Sequence, residues 1–540
     1  MSASNSNSDK AENVHIEDLA NTHGVSDELS GQEVVKTESV TWYKDPALRK
    51  LYFFLSVCLI TSATNGFDGS MMNGLQSLVY WQDFFNHPEG STLGLFNAIQ
   101  SIGAIVALPI TPYIADGLGR KTGIIGGSIL MLIGVAVQTA AQNFGMFIAA
   151  RFLVGFGISI AQGTAPLLIT ELAHPQHRAR ITSLYNTGYY VGAIIAAATT
   201  LGAFQIPSNW AWRLPSLLQA APSVFQFAFI WWVPESPRYL ISKGRNEQAF
   251  DILAKYHANG DHTSKLVQFE YDEVRKTLEV ESVVGAQNGW MEIIRTPANR
   301  KRLGIIIALG VFSQWSGNGL VSYYLSKVLT EIGISDSQTQ LKINLGLSCY
   351  NGLIACSFAF MVDKFGRRPL FLVSTFGMTG SFIIWTICSS INARTHSSGS
   401  GIGVITFIFI YYTFYNFAYS GLLVGYAVEI LPYKIRAKGL MILFTAVDVT
   451  LFFNQYVNPI GLENLSWKYY IFYCAWLGFE CVIVYFYFIE TKNQSTLEEM
   501  ADLFGDGAQQ TKEHLSDAKT RELHELEHNR DQGHVETMQL

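Results

Sequence analysis

Apolar residues in this chain gather into runs of about twenty, separated by short polar stretches. About twenty helical residues, rising about 1.5 Å each, cross the ~30 Å hydrocarbon core of a bilayer. Hydrocarbon offers no water to backbone N–H and C=O groups, so a spanning segment must satisfy them itself, as a helix does. The runs fall near 50–70, 93–113, 122–141, 144–168, 183–204 and 212–233, then near 303–326, 343–362, 369–390, 402–427, 438–459 and 468–489. Twelve such runs require an all-α membrane protein.

Composition agrees: 49% of the 540 residues are hydrophobic and 15% charged. The mean hydropathy is +0.20. The net charge of −6 sits largely in polar termini, and no basic block suggests nucleic acid. Cys58, Cys349, Cys356, Cys388, Cys474 and Cys481 all lie in apolar runs, which supports neither a disulfide framework nor a zinc site. Residues 1–48 lack a signal-peptide core and read as a disordered cytosolic tail, leaving the first span as the insertion signal. Bundles over 49–233 and 302–490 flank a helical linker over 234–301, and 491–540 form a second polar tail. The tail histidines His514, His524, His528 and His534 follow no metal-ligand spacing, so no metal is expected.

The two bundles are related. Asp116-Gly-Leu-Gly-Arg-Lys121 recurs 247 positions later as Asp363-Lys-Phe-Gly-Arg-Arg368. Glu171 with Arg178 is matched by Glu429 with Arg436, and Pro234-Glu235-Ser236-Pro237 by Ile489-Glu490-Thr491-Lys492. Three echoes at nearly one offset indicate a duplicated six-helix unit. Arg120, Lys121, Arg178, Arg180, Lys364, Arg367, Arg368, Lys434, Arg436 and Lys438 fall in loops on one side, against Arg213, Lys342, Arg394 and Lys468 on the other. The positive-inside rule then places both termini in the cytosol, and Asn464-Leu-Ser466 outside as a glycosylation acceptor.

These motifs, with Arg151-Phe-Leu-Val-Gly-Phe-Gly157, Pro234-Glu-Ser-Pro-Arg238 and Gln314-Trp-Ser-Gly317, appear in the order and spacing of the sugar porter family of the major facilitator superfamily. The chain resembles that family over residues 50–500. Tyr185-Asn-Thr-Gly188 and Phe312-Ser-Gln-Trp-Ser-Gly-Asn-Gly319 resemble its fungal lactose and cellodextrin permease branch. Departures from the glucose-porter pattern cluster near the sugar. Asn186 stands for a Gln, Ser313 for the first of two Gln, Gly319 for an Asn, and Leu423-Val424 for a Pro-Trp pair.

Two charges stand out inside the first bundle: Asp68 in the first span and Arg151 in the fourth. A charge at mid-helix costs about 2.5–3.5 kcal/mol on insertion scales, so each needs a partner or a cavity. Protonating Asp68 would release Arg151, and the resemblance implies that this pair couples transport to protons; a static structural ion pair is the alternative reading. Asp448, in the eleventh span, has no counterpart in the family pattern.

A sugar needs amides for its hydroxyls and aromatic surface for its C–H face. The resemblance places Asn186, Gln314 and Asn351 at sugar-binding positions, with Asn318, Ser313, Tyr323 and Tyr324 beside them and Asn416 and Tyr426 on the tenth span. It also implies that Asp116, Arg120, Glu171, Arg178 and Glu235, with Asp363, Arg367, Glu429, Arg436 and Glu490, form a cytosolic gate.

The expectation is a monomeric plasma-membrane carrier with sugar and proton as partners and no cofactor, moving a disaccharide such as lactose or cellobiose, or a hexose, by alternating access. It is not an enzyme, and no glycine-rich stretch has the strand context or spacing of a phosphate-binding loop. A uniporter, a non-transporting sugar sensor and an efflux carrier are the rivals.

Overall fold

The computed structural model describes residues 42–287, 291–359, 365–492 and 504. The first half holds α1 (Pro46–Leu75), α2 (Val79–Phe84), α3 (Gly90–Ala107), α4 (Thr111–Gly117), α5 (Arg120–Thr139), α6 (Phe144–Leu172), α7 (Arg178–Ala203), α8 (Trp210–Leu218) and α9 (Ala220–Phe229). A linker follows as α10 (Pro237–Ser242), α11 (Asn246–His257), α12 (Lys265–Gln287) and α13 (Glu292–Arg295). The second half holds α14 (Pro297–Trp315), α15 (Asn318–Glu331), α16 (Ser337–Ala359), α17 (Arg367–Thr395), α18 (Ser398–Ala418), α19 (Leu423–Ile430), α20 (Tyr433–Leu465) and α21 (Tyr469–Tyr487).

Among the described residues, eight stretches are long and apolar enough to cross a membrane, and one of them, Lys438–Tyr487, contains two helices. The spans that miss this criterion are α7, α8–α9 and α16, which complete the twelve. α8 and α9 are only 9 and 10 residues long, and α7 carries Asn186, Thr187, Tyr189, Tyr190, Thr199 and Thr200 along its length.

Side chains set the helix starts. Asp45 Oδ1 accepts from the N–H groups of Ala47 and Leu48 at 2.8 and 3.1 Å, with Pro46 at the first helical position. Thr296 Oγ1 and Pro297 open α14 in the same way, three residues after the hydroxyl meeting the N–H of Asn299 at 3.1 Å. α14 and α15 are two pieces of one span, separated at Gly317, whose φ of +101° suits a residue without a Cβ. The tenth span is likewise divided, into α18 and α19.

Within the first half α5 packs on α6 at almost backbone contact. A Cβ on Gly127 would lie 2.6 Å from the carbonyl oxygen of Gly157, and one on Gly157 would lie 2.7 Å from that of Gly127.

The halves meet through α3 on α20, α7 on α16, and α1 on α15. Many of their mutual hydrogen bonds lie near the end of α1 remote from the Asp116 hairpin, here termed the far end. There Asn73 donates to the Val321 carbonyl at 3.2 Å and to Asn344 Oδ1 at 3.1 Å, and accepts from the N–H of Leu325 at 3.1 Å. Gln76 donates to the Tyr323 carbonyl at 2.8 Å, Ser101 to Gln455 Oε1 at 2.6 Å, and Lys327 pairs with Glu89 at 3.0 Å. An aromatic plug of Trp81, Phe84, Phe85, Phe96, Phe147 and Trp212 joins the same buried cluster as the second half's core. The inner core at the start of α1, around Leu51, Phe54 and Leu168, forms a separate cluster. The halves are therefore sealed against each other at the far end.

The linker docks on the first half at the hairpin end. His257 is 2.6 Å from Glu270 and 3.1 Å from the Leu172 carbonyl, and Asn259 donates to Asp45 at 2.8 Å.

Candidate functional site

The structure brings Asp68 and Arg151 together in the first half. Both are almost fully buried, at 0% and 1% exposure. Arg151 Nη1 donates to Asp68 Oδ1 at 3.1 Å, and Gln219 Nε2 donates to the same oxygen at 2.5 Å. Arg151 Nη2 donates to Gln100 Oε1 at 2.5 Å. Asp68 Oδ2 is buried without a hydrogen-bond partner, as is Arg151 Nε. One carboxylate oxygen is thus fully engaged while the other is vacant. The sequence reading missed Gln100 and Gln219, and also Gln138, which donates to Gln219 Oε1 at 3.4 Å.

A second polar group lies where the halves face each other at mid-span. Asn416 of α18 donates to Asn351 Oδ1 of α16 at 3.3 Å and to the Tyr412 carbonyl at 2.9 Å. Tyr190 of α7 donates to Asn416 Oδ1 at 2.8 Å and lies 2.7 Å from Ser420 Oγ. Beside them Asn318 Nδ2 contacts the Tyr415 hydroxyl at 3.1 Å and the Ser313 carbonyl at 3.3 Å, leaving its buried Oδ1 unpartnered. Tyr415 also donates to the Ser313 carbonyl at 2.8 Å. Gln314 is half-buried, its side chain 3.4 Å from Ser313 Oγ. Asn186 is exposed on α7, one turn before Tyr190.

At the hairpin end the sequence repeat becomes a repeated structure. Arg120 binds Glu171 through Nε at 3.0 Å and Nη2 at 3.2 Å, and Ser236 donates to Glu171. Arg367 binds Glu429 through Nε at 3.2 Å and Nη2 at 2.9 Å, and Thr491 donates to Glu429. Glu235 accepts from the N–H of Lys121 at 3.3 Å, and Glu490 from those of Arg367 and Arg368 at 2.8 and 3.2 Å. Each of these two acids therefore sits on the N-terminus of a helix, α5 or α17, where the backbone favours an anion. Burial nevertheless pushes the Glu235 carboxyl above its ordinary range, opposed by the N–H groups of Ser236 and Lys121. Asp116 adds a contact to Arg120 at 3.3 Å. These ion pairs join residues of one half, not one half to the other. Arg178 is exposed, Arg436 donates to the Leu431 carbonyl at 3.3 Å, and Asp363 lies outside the described residues.

A cavity of about 570 Å³ lies apart from both polar groups, between the hairpin and the linker, lined by Glu235, Tyr239, Arg245 and Asp251 among others. It belongs to the surface of that contact.

The family described as "Sugar (and other) transporter" matches residues 54–504. The chain is a member of this sugar transporter family. A high-affinity glucose transporter of Kluyveromyces lactis is 25% identical over 490 residues, covering 87% of this chain and 88% of that protein. The low-affinity glucose transporter HXT3 of Saccharomyces cerevisiae is 26% identical over 94% of this chain and 91% of its own length. The MFS-type transporter oryC of Aspergillus oryzae is 28% identical over 84% of this chain and 85% of that protein. The inward-open structure of the xylose transporter XylE from E. coli superposes with a TM-score of 0.69 at 21% identity, covering 84% of this chain and 99% of that one. At that identity the likeness concerns the fold, which is that of the major facilitator superfamily.

Several residues of this transporter lie elsewhere than the sequence reading put them. Tyr426 does not line the polar cluster. Its hydroxyl donates to the Ile489 carbonyl and accepts from the Ile489 N–H, both at 2.9 Å, and its ring stacks on Phe488. It pins the chain after α21 at the hairpin end. Tyr324 is buried and donates to the Gln455 carbonyl, which makes it part of the α15–α20 packing. Tyr323 is half-buried, and its carbonyl takes part in the far-end seal. Asn464 sits in the last turn of α20 and donates to the Ile460 carbonyl at 2.8 Å, a helical setting unlike an extended acceptor loop. Asp448 is half-buried on α20. The histidines of the C-terminal tail lie outside the described residues.

Proposed function

We propose that this transporter carries a sugar into the cell together with a proton, by alternating access at the plasma membrane, with the hairpin end and both termini in the cytosol. The observation that carries the proton is the vacant Oδ2 of Asp68 beside a buried Arg151. Neutralising Asp68 weakens its hold on Arg151 and Gln219 and so changes how α1, α6 and α8–α9 are tied together. The sugar binds between the halves, on Asn351, Asn416 and Asn318 from the second half and on α7 from the first. The structurally similar XylE is a proton:xylose symporter, which supports reading this carrier as proton-coupled. With the hairpins inside, the far-end seal closes the site to the exterior.

The cargo is a disaccharide such as lactose or cellobiose, or a hexose. The carrier works as a monomer, since the site lies between the two halves of one chain.

The test is uptake of labelled lactose, cellobiose and glucose in a transporter-null yeast, with external pH recorded, for wild type and Asp68→Asn. Concentrative uptake with alkalinisation, lost in the variant while counterflow persists, is expected. Uptake that never exceeds equilibrium and ignores the substitution would make the protein a uniporter. Absence of any sugar uptake would refute the reading and favour a sensor or an efflux carrier.

A further inference from the structure

Tyr190 bridges the two halves at mid-span, and its partners are the polar groups best placed for a sugar. Asn416 is buried at 3% exposure and is already tied to Asn351 and the Tyr412 carbonyl. What remains of it, Oδ1, takes the Tyr190 phenol at 2.8 Å, and the same phenol lies 2.7 Å from Ser420 Oγ. Its ring packs over α16, where a Cβ on Gly352 would lie 3.4 Å from Tyr190 Cβ, and stands edge-on to Tyr189 with centroids 5.5 Å apart.

A phenol hydroxyl gives one hydrogen bond and accepts others, which is also the inventory of a pyranose hydroxyl. We propose that Tyr190 fills the place that a sugar hydroxyl would take, so that sugar and phenol compete for Asn416 and Ser420. This rests on the reading of the protein as a sugar carrier. The phenol satisfies Asn416 Oδ1, which a sugar must do in its place once it displaces the phenol. In doing so the phenol fastens α7 of the first half to α18 of the second. An entering sugar must break this tie before it can use the amide. A sugar that presents a hydroxyl here recovers what the displacement costs, and a deoxy analogue does not. Tyr190 is thereby a specificity-determining residue as well as a link between site occupancy and movement of the halves.

The test compares equilibrium binding of lactose, cellobiose and glucose to the purified full-length protein for wild type, Tyr190→Phe, Asn416→Ala and the double variant. Tyr190→Phe keeps the ring and deletes only the competing hydroxyl; its melting temperature checks that the fold is retained. Binding of the preferred sugar should tighten by roughly three- to tenfold, the scale of one net hydrogen bond. That gain should vanish when the two Asn416→Ala proteins are compared with each other. Unchanged or weaker binding in Tyr190→Phe, with the wild type binding normally, overturns the competition and leaves the carrier reading intact. A wild type that binds none of these sugars overturns the carrier reading and this proposal with it.

Discussion

The Asp68–Arg151 pair makes a thermodynamic prediction that does not depend on transport. Both side chains are buried, and each charge is compensated chiefly by the other. Substituting Asp68→Asn leaves the Arg151 cation facing one neutral oxygen, Gln100 Oε1, and an amide, with its Nε still unpartnered. Breaking a buried pair from one side in this way costs about 3–5 kcal/mol, because the remaining charge stays desolvated. Arg151→Gln leaves Asp68 with Gln219 alone and costs a similar amount. The double substitution removes both charges and retains a chain of amides, so its penalty should fall to about 1–3 kcal/mol, that of imperfectly paired polar groups. The order of stabilities is then wild type, double variant, and both singles last. The assay is the temperature of half-inactivation of purified protein in detergent, measured at one pH for all four proteins. Additive losses, with the double variant the least stable, would show that the two charges do not compensate each other and would remove the basis of the proposed proton switch.

Three more expectations come from the packing. Gly127→Ala should abolish folding or accumulation, because its Cβ meets the Gly157 carbonyl at 2.6 Å, whereas Gly126→Ala, with open space around it, should be tolerated; expression and size-exclusion profiles distinguish them. Glu171→Gln should destabilise more than Glu429→Gln, by about 3 against about 1 kcal/mol, since the Arg120–Glu171 side chains are 8% and 12% exposed and those of Arg367 and Glu429 are 16% and 33%. Equal losses in thermal stability would contradict this use of burial. His174 is held near a pKa of about 4, foremost by burial and then by its neighbour His257, against an ordinary value near 6.5. Its neutral form is favoured in the fold, so its contribution is complete above pH 6.5 and is lost as pH falls towards 4, up to about 3 kcal/mol. Melting temperatures between pH 7.5 and 4.5 should fall more steeply for wild type than for His174→Asn, and parallel curves would be the contrary result.

The fold was legible because hydrocarbon imposes a length rule that the sequence cannot evade. Where composition alone falters, at α7, the reason is the polar residues spread along the helix, and two of them, Tyr190 and Thr200, face other helices and not lipid. The duplicated hairpins were legible for a different reason. Arg120 with Glu171 and Arg367 with Glu429 are charged residues at helix ends, where a repeated charge pattern stands out against apolar surroundings. The division of the seventh span at Gly317 was less visible, since a single glycine in an apolar run signals a kink no better than it signals close packing.

The site was only half legible, and the missing half has a common character. Asp68 and Arg151 announce themselves by the cost of their charges, but the amides that bind them, Gln100 and Gln219, carry no charge and sit on other helices. An amide in a span is conspicuous by type, yet type alone does not say whether it meets a substrate, a neighbouring helix or a charge. Gln226 illustrates the ambiguity: it is as buried as Gln219, but its amide goes to the Val57 carbonyl at 3.0 Å and Thr61 at 2.7 Å, plain helix-to-helix fastening. Tyr426 and Tyr190 illustrate it from the other side. Both are tyrosines within apolar runs, and sequence resemblance favoured Tyr426. The chain path decides otherwise, because the break between α18 and α19 carries Tyr426 to the hairpin end while Tyr190 faces Asn416 across the interface. What sequence cannot supply is the facing: a residue's chemistry is written in the chain, but its partner depends on which turn of which helix stands opposite.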